Sequence, residues 1–288
     1  MPLLSILTVI KPPAEGMATT LASVEREFGE AGDAEFIVKE WIPDGDDRGE
    51  PALAAVEAGA GRLMRRCLRA PDGGVFHGMN QALAAATGDW IVFLNAGDWF
   101  ADGAAAAFRE ATTRHPGADY LYFDGVTVDA RDGREFLRQA PDTVRLNDFL
   151  HRVPILHPCL FVRRTVLVRL GLDPAIDLAA DFDLMVRLVA GGYPGRRIPR
   201  IGAFIVSGGL SEQRRVRAFR QANRSLRRNA PTLAFRLRLL AAFLRFLLIH
   251  TLIVYVIRPL PFLRRRARAR TGGQPAGTYS GKTGRLPG

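Results

Sequence analysis

Strand-sized apolar runs alternate with helical stretches over the first 128 residues, and nothing else in the chain limits its fold as tightly. Met1–Ile10 is apolar, lacks a basic residue ahead of the apolar run and is not followed by a small-residue cleavage site. It reads as a buried strand stopped by Lys11-Pro12-Pro13, not as a secretory signal. A helical stretch over Met17–Phe28 follows, then a buried strand at Glu35–Glu40, then a Gly/Asp-rich break at Pro43–Gly49. Leu63–Leu68 reads as a third strand despite Arg65 and Arg66. A helix is expected over His77–Thr87, ended by Gly88. Trp90-Ile-Val-Phe-Leu94 is the most apolar run and leads straight into Asn95-Ala-Gly-Asp98. An Ala-rich helix, Gly103–Thr113, and a strand, Tyr120–Val128, complete the series. This alternation predicts an α/β fold, a mostly parallel sheet with helices on both faces. Ligands in such folds bind at the carboxyl ends of strands, so the polar residues placed there matter: Glu40, Asp44 and Asn95 to Asp98.

The second half is less regular. Arg134–Gln139, His157–Val162 and Arg197–Val206 read as strands, Asp181–Ala190 as a helix, and Glu212–Asn229 as a basic helix with another starting near Pro231. Two cysteines, Cys67 and Cys159, are too few for a disulfide framework or a four-cysteine zinc site.

Charge divides the chain unevenly. Residues 213–288 hold 17 Arg and one Lys and no acid, whereas the preceding residues are net acidic, so the overall charge of +11 belongs to the tail. Such a tail is expected to meet an anionic surface, whether lipid, nucleic acid or an acidic neighbour. Within it, Leu239–Ile257 is apolar except for Arg245, His250, Thr251 and Tyr255, and arginines flank it on both sides. A central arginine costs roughly 2.5–3.5 kcal/mol in a bilayer-spanning helix. The pattern suits a helix lying in the headgroup region. A helix packed on the body and a true span are the alternatives. Thr271–Gly288 is Gly/Pro/Ser-rich and expected to be disordered. The expected organisation is a folded unit over 1–212, a basic and apolar helical extension over 213–263 and a disordered basic tail over 264–288.

An apolar strand ending in a carboxylate aims that carboxylate into the crevice, where it can hold a divalent cation and through it a diphosphate. Asp98 is placed for this, and equally placed to cap the Ala-rich helix. Asp181 can serve as a base or as an N-cap, and Asp183 can pair with Arg187 at i,i+4.

Two blocks of the sequence resemble glycosyltransferase family 2, of the bacterial polysaccharide-biosynthesis type. The first is Asp72-Gly-Gly-Val-Phe-His-Gly-Met-Asn80 followed by Ala86-Thr-Gly-Asp-Trp-Ile-Val-Phe-Leu-Asn-Ala-Gly-Asp98. The second is His157-Pro-Cys-Leu-Phe-Val-Arg163 followed by Ala179-Ala-Asp181-Phe-Asp183-Leu-Met-Val-Arg187-Leu and then Gly208-Gly-Leu-Ser211. The resemblance covers about residues 3–212. It implies a GT-A fold with a C-terminal basic helical extension outside the shared pattern. It also implies inverting transfer of a sugar from a nucleotide-diphosphate sugar to a glycan, in cell-surface polysaccharide synthesis. By the same resemblance Asp181 is the catalytic base, Asp98 holds Mg²⁺ or Mn²⁺, and Glu40, Asp72, Asn80 and Asn95 contact the donor. Asn95 and Gly97 stand where many members carry further acids, and the run after Glu40 departs from the usual pattern. His77 stands where the family usually has Asp, and reads more simply as a residue of the helix N-terminus. His157 either faces the acceptor or metal or satisfies a buried turn. The expected partners are the donor, a glycan or polyprenyl-linked acceptor and an anionic membrane, at the cytoplasmic face of the inner membrane where nucleotide sugars are available.

Other readings are a nucleic-acid-binding protein using the arginine-rich tail, a non-catalytic relative and a nucleotidyltransferase. The tail interleaves arginine with Leu, Ile and Val, not with stacking aromatics, which argues against nucleic acid.

Overall fold

The computed structural model describes residues 2–11, 15–42, 56, 62–209, 214–230 and 232–252. The Gly/Asp-rich turn with Asp44 and Asp46, Leu210 and Ser211, and the tail beyond Leu252 lie outside the described residues.

Strand β1 (Leu4–Ile10) pairs in parallel with β2 (Ala34–Trp41) on one side and with β4 (Trp90–Phe93) on the other, and β3 (Met64–Ala70) extends the sheet beyond β2. Helix α1 (Met17–Phe28) connects β1 to β2, and α2 (Val75–Ala85) connects β3 to β4. Chain order therefore reverses between β1 and β4, a switch point that opens a crevice at the carboxyl ends of these strands. Beyond β4 the sheet becomes mixed. β8 (Leu160–Arg163) runs antiparallel to β4 and to β6 (Tyr120–Val128), while the long β9 (Gly195–Val206) runs parallel to β6. Two short strands, β5 (Trp99–Phe100) and β7 (Glu135–Arg138), pair antiparallel with β9 and β6. Most of the paired length is parallel, as the alternation predicts.

Burial explains which runs were legible. β4 is buried along its whole length, with the Trp90 ring edge-on to Phe108 at 6.0 Å and beneath the Arg163 guanidinium at 4.6 Å. β3 is the edge strand, so its arginines reach out of the sheet: Arg65 to Glu25 at 2.9 Å, Arg66 to the Ala85 carbonyl at 2.6 Å. Helix α2 starts at Val75, two residues earlier than its pattern predicts, because the Gly74 amide donates to Asp72 Oδ1 and the Gly73 amide to His77 Nδ1. It stops before Thr87, whose amide donates with that of Gly88 to the buried Glu35 carboxylate. His157–Cys159 is a single 3₁₀ turn and not the start of a strand; Pro158 has no amide to give a ladder, so β8 begins only at Leu160.

Helix α5 (Ala180–Ala190) follows a short helix, α4 (Arg164–Leu170), and is fastened from two sides. Asp183 is buried; its Oδ2 accepts from Arg187 Nε at 2.6 Å, and its Oδ1 accepts from Ser225 Oγ at 2.6 Å. Arg187 in turn donates to the carbonyls of Leu170 and Gly171. Ser225 belongs to α6 (Arg215–Arg228), the basic helix expected outside the folded unit. It packs on the body through buried Asn223, Ser225 and Leu226, and Gln221 bonds Asp177 and the Leu178 amide. Helix α7 (Leu233–Leu252) rests on α6, with Phe243 stacked on Phe219 at 5.9 Å.

Candidate active site

The crevice at the switch point is assembled by short-range constraints. Thr8 near the end of β1 donates through Oγ1 to the Leu94 carbonyl at 2.6 Å, fixing the exit of β4. The turn that follows is held from the α1 side: Thr20 Oγ1 donates to the Asp98 carbonyl at 2.8 Å and accepts from the Gly97 amide at 3.0 Å. Gly16 packs so closely that a Cβ there would lie 2.5 Å from Gly97 Cα, and Gly97 itself has φ 94°, a region that favours glycine. The glycine that replaces an acid in the family pattern therefore has a local structural cause.

The turn delivers Asp98 into a buried position, 4% exposed. Its Oδ1 accepts the amide of Val206, the last residue of β9, at 3.0 Å, while Oδ2 has only the exposed Asn95 amide at 3.5 Å. Burial pushes the carboxyl up to about 7, and the two hydrogen bonds only partly offset this. Asp98 is not a helix cap: α3 (Ala104–Arg114) begins after Gly103. Among the described residues no cluster of three or more His, Cys, Asp or Glu could hold a metal. One buried carboxylate with a nearly uncommitted oxygen still fits a hard cation that takes most of its ligands from water and phosphate. Asp98, with the Asn95 side chain beside it, is what would hold such an ion.

Asp181 stands in the first turn of α5, behind an N-cap at Ala179. Its Oδ1 accepts the Phe182 amide at 2.8 Å, and its second oxygen meets no donor among the described residues. It is half-buried. The link between the two acids is the 3₁₀ turn His157–Cys159. Antiparallel pairing of β8 with β4 (Val92 opposite Phe161) sets the residues before Leu160 beside those after Phe93, at the crevice. His157 packs on Phe93 with ring centroids 5.3 Å apart, and its buried Nε2 has no partner among the described residues. Burial pushes its imidazole below the usual range, and the Asp181 carboxylate pulls the other way. Two residues on, burial pushes the Cys159 thiol up to about 12, with the Asp98 carboxylate adding to the effect. The Asp181 carboxylate is thus felt at His157 and the Asp98 carboxylate at Cys159, on a turn that β4 and β8 set beside the crevice.

The other expected donor contacts are held by protein groups. Glu40, fully buried near the end of β2, accepts from Arg69 Nε at 3.2 Å. Asp72 pairs with Lys39, whose buried ammonium spends its three protons on Asp72 Oδ2 (2.8 Å) and the carbonyls of Glu40 and Ala70. Asn80 clamps the Leu172 backbone, donating to its carbonyl at 2.7 Å and accepting its amide at 3.1 Å. Both of its polar atoms thus hold the loop before α5. Asp183 is also structural, in the pair with Arg187 that its spacing suggests. The sequence reading treats Lys11 only as the end of a strand. The fold sets its ammonium over the Trp41 ring at 4.4 Å, between the carboxyl ends of β1 and β2, and a lone cation directly after a strand was the available signal.

Removing one partner of a buried ion pair strands the other charge. Lys39→Met is therefore expected to lower stability by about 3–5 kcal/mol in urea denaturation. Lys39→Met with Asp72→Leu recovers most of that loss; additive penalties would show that the pair is not the reason.

No family model matches the chain. It is 31% identical over 192 residues to the O-antigen biosynthesis protein RfbC of Myxococcus xanthus, a match spanning 65% of this chain and 14% of that protein. Residues 1–349 of S. aureus TarS superpose with a TM-score of 0.66 at 14% identity, over 89% of this chain and 75% of that one. The same TarS fragment is known with UDP and with UDP-GlcNAc. Mannosyltransferase PcManGT from Pyrobaculum calidifontis, in complex with GDP-Man and Mn²⁺, gives a TM-score of 0.59 at 19% identity, over 95% of this chain and 77% of that one. The fold is GT-A. The resemblance carried by the two sequence blocks points to the same group. The sheet β3-β2-β1-β4 borders the crevice that carries Asp98.

Proposed function

We propose that this chain is an inverting glycosyltransferase that moves a sugar from a nucleoside-diphosphate donor to a hydroxyl of a lipid-linked glycan, in bacterial surface polysaccharide synthesis. It would act at the cytoplasmic face of the plasma membrane, where such donors occur. The observation that carries this reading is Asp98, a buried carboxylate with one oxygen held only loosely, presented in the turn after β4 at the switch point of a GT-A sheet. RfbC, TarS with its UDP-sugar, and the mannosyltransferase support it.

The residues divide the work. The free oxygen of Asp181 takes the proton of the acceptor hydroxyl as that oxygen bonds to the anomeric carbon, while the bond from that carbon to the diphosphate oxygen breaks. Asp98 would hold a divalent cation, which would supply positive charge to the departing diphosphate. Lys11 presents a second cation at the mouth of the crevice. His157 packs beneath the crevice on Phe93, with its buried Nε2 unpartnered among the described residues.

A thermal-shift panel of UDP- and GDP-sugars, with and without Mn²⁺, tests the reading. A true donor at a hundredfold excess over its Kd stabilises by about 2.7 kcal/mol, enough to move the midpoint by several degrees. Stabilisation only when donor and Mn²⁺ are both present is expected. No shift with any donor would favour the non-catalytic relative.

A further inference from the structure

One face of α7 has no partner among the described residues. Phe235 and Leu239 are buried against the body, whereas Leu233, Leu237, Leu240, Leu244 and Leu248 are all exposed, from 44% at Leu240 to 72% at Leu233. Their steps of four, three, four and four residues draw one stripe along the helix, on the side away from Phe235. A contiguous aliphatic stripe is uncommon on a solvated surface and marks a contact.

Cations border this stripe. Arg238 and Arg245, two turns apart on one flank, line a groove of about 600 Å³ between α7 and the 3₁₀ turn Leu146–Leu150. On the other side of the Phe219–Phe243 stack, Arg220, Arg224 and Arg227 of α6 line a second groove with Phe243. None of these five arginines has a carboxylate partner among the described residues, and the sequence has no acid after Glu212 to provide one nearby. No described helix is long and apolar enough to cross a membrane.

We infer that α7 lies flat on an anionic phospholipid bilayer, with the leucine stripe among the acyl chains and lipid phosphates in the two arginine-lined grooves. Charge complementarity selects this occupant: an apolar protein partner would not need unpaired arginines along both flanks, and nucleic acid would not need the leucines. The first groove also lies behind the reaction site. Phe149, in the turn that forms its wall, packs edge-on at 5.2 Å against Phe182, the neighbour of Asp181. Docking there brings a lipid-borne hydroxyl to the Asp181 side of the molecule; that last link alone rests on the proposed transferase activity.

The test is co-sedimentation of the full chain with vesicles of phosphatidylcholine alone or mixed with phosphatidylglycerol, together with transfer assays using a soluble acceptor. The parent chain is expected to pellet with anionic vesicles only. Leu237→Ser/Leu244→Ser/Leu248→Ser, all at exposed positions, is expected to stay in the supernatant at low and high salt. Arg238→Gln/Arg245→Gln is expected to bind roughly 30-fold more weakly, about fivefold per arginine, with a shallower salt dependence. Both variants keep soluble-acceptor turnover. Pelleting of the leucine variant like the parent, or retention on single-stranded RNA with none on vesicles, would overturn the proposal. Vesicle binding that follows the leucines in a chain without any transferase activity leaves the docking surface standing and removes only the catalytic reading.

Discussion

Asp98→Asn is expected to unfold at a higher temperature than the parent above pH 7, free of divalent metal, and to transfer no sugar. The carboxyl titrates near 3.8 in the unfolded chain and at about 7 when buried in the fold. Between those values the folded state binds the extra proton, so stability falls as pH rises from about 4 to about 7 and is level above. A thousandfold rise in proton affinity corresponds to about 4 kcal/mol at most. The amide keeps an oxygen for the Val206 N–H and carries no charge to bury. The two melting curves are thus expected to coincide near pH 4 and diverge toward pH 8, by several degrees for a domain of this size. Added Mn²⁺ with donor stabilises the parent and leaves the variant unchanged. A variant less stable than the parent at pH 8 would show that the charge is compensated, and the cation site would then lie elsewhere.

Asp181→Asn separates binding from chemistry. The amide oxygen still accepts the Phe182 N–H, so the start of α5 is kept and little change in melting temperature is expected. Donor affinity is expected to be unchanged, because the role proposed for Asp181 is toward the acceptor hydroxyl and not the diphosphate. Turnover falls by about 10²–10⁴, the usual contribution of a general base. Activity within tenfold of the parent at saturating donor would transfer the role of base to another group, with His157 the first to examine.

The elements that were easiest to read were those whose pattern reflects burial along the whole segment. Met17–Phe28 and Tyr120–Val128 have the bounds their sequence predicts. β3 was obscure because an edge strand needs only one side apolar, and its arginines find partners that no local pattern announces. Side-chain roles were harder, because they depend on distant neighbours. Asn80 is spent on a backbone 92 residues away, and Asp72 on a lysine 33 residues earlier in the chain. Asp181 and Asp183 sit two residues apart on one helix with opposite fates, one half-buried with an oxygen that meets no donor among the described residues and one shut in a network with Arg187 and Ser225. Spacing to Arg187 identifies the second. No such spacing identifies the first.

The hydrogen bond from Ser225 to Asp183 couples two parts that composition alone would separate. It ties the arginine-rich segment to the same rigid rod that carries Asp181, one half-turn away. A rocking of that segment, whatever surface it rests on, becomes a displacement of the Asp181 carboxylate. The position of that acid is therefore answerable to how the whole molecule is seated.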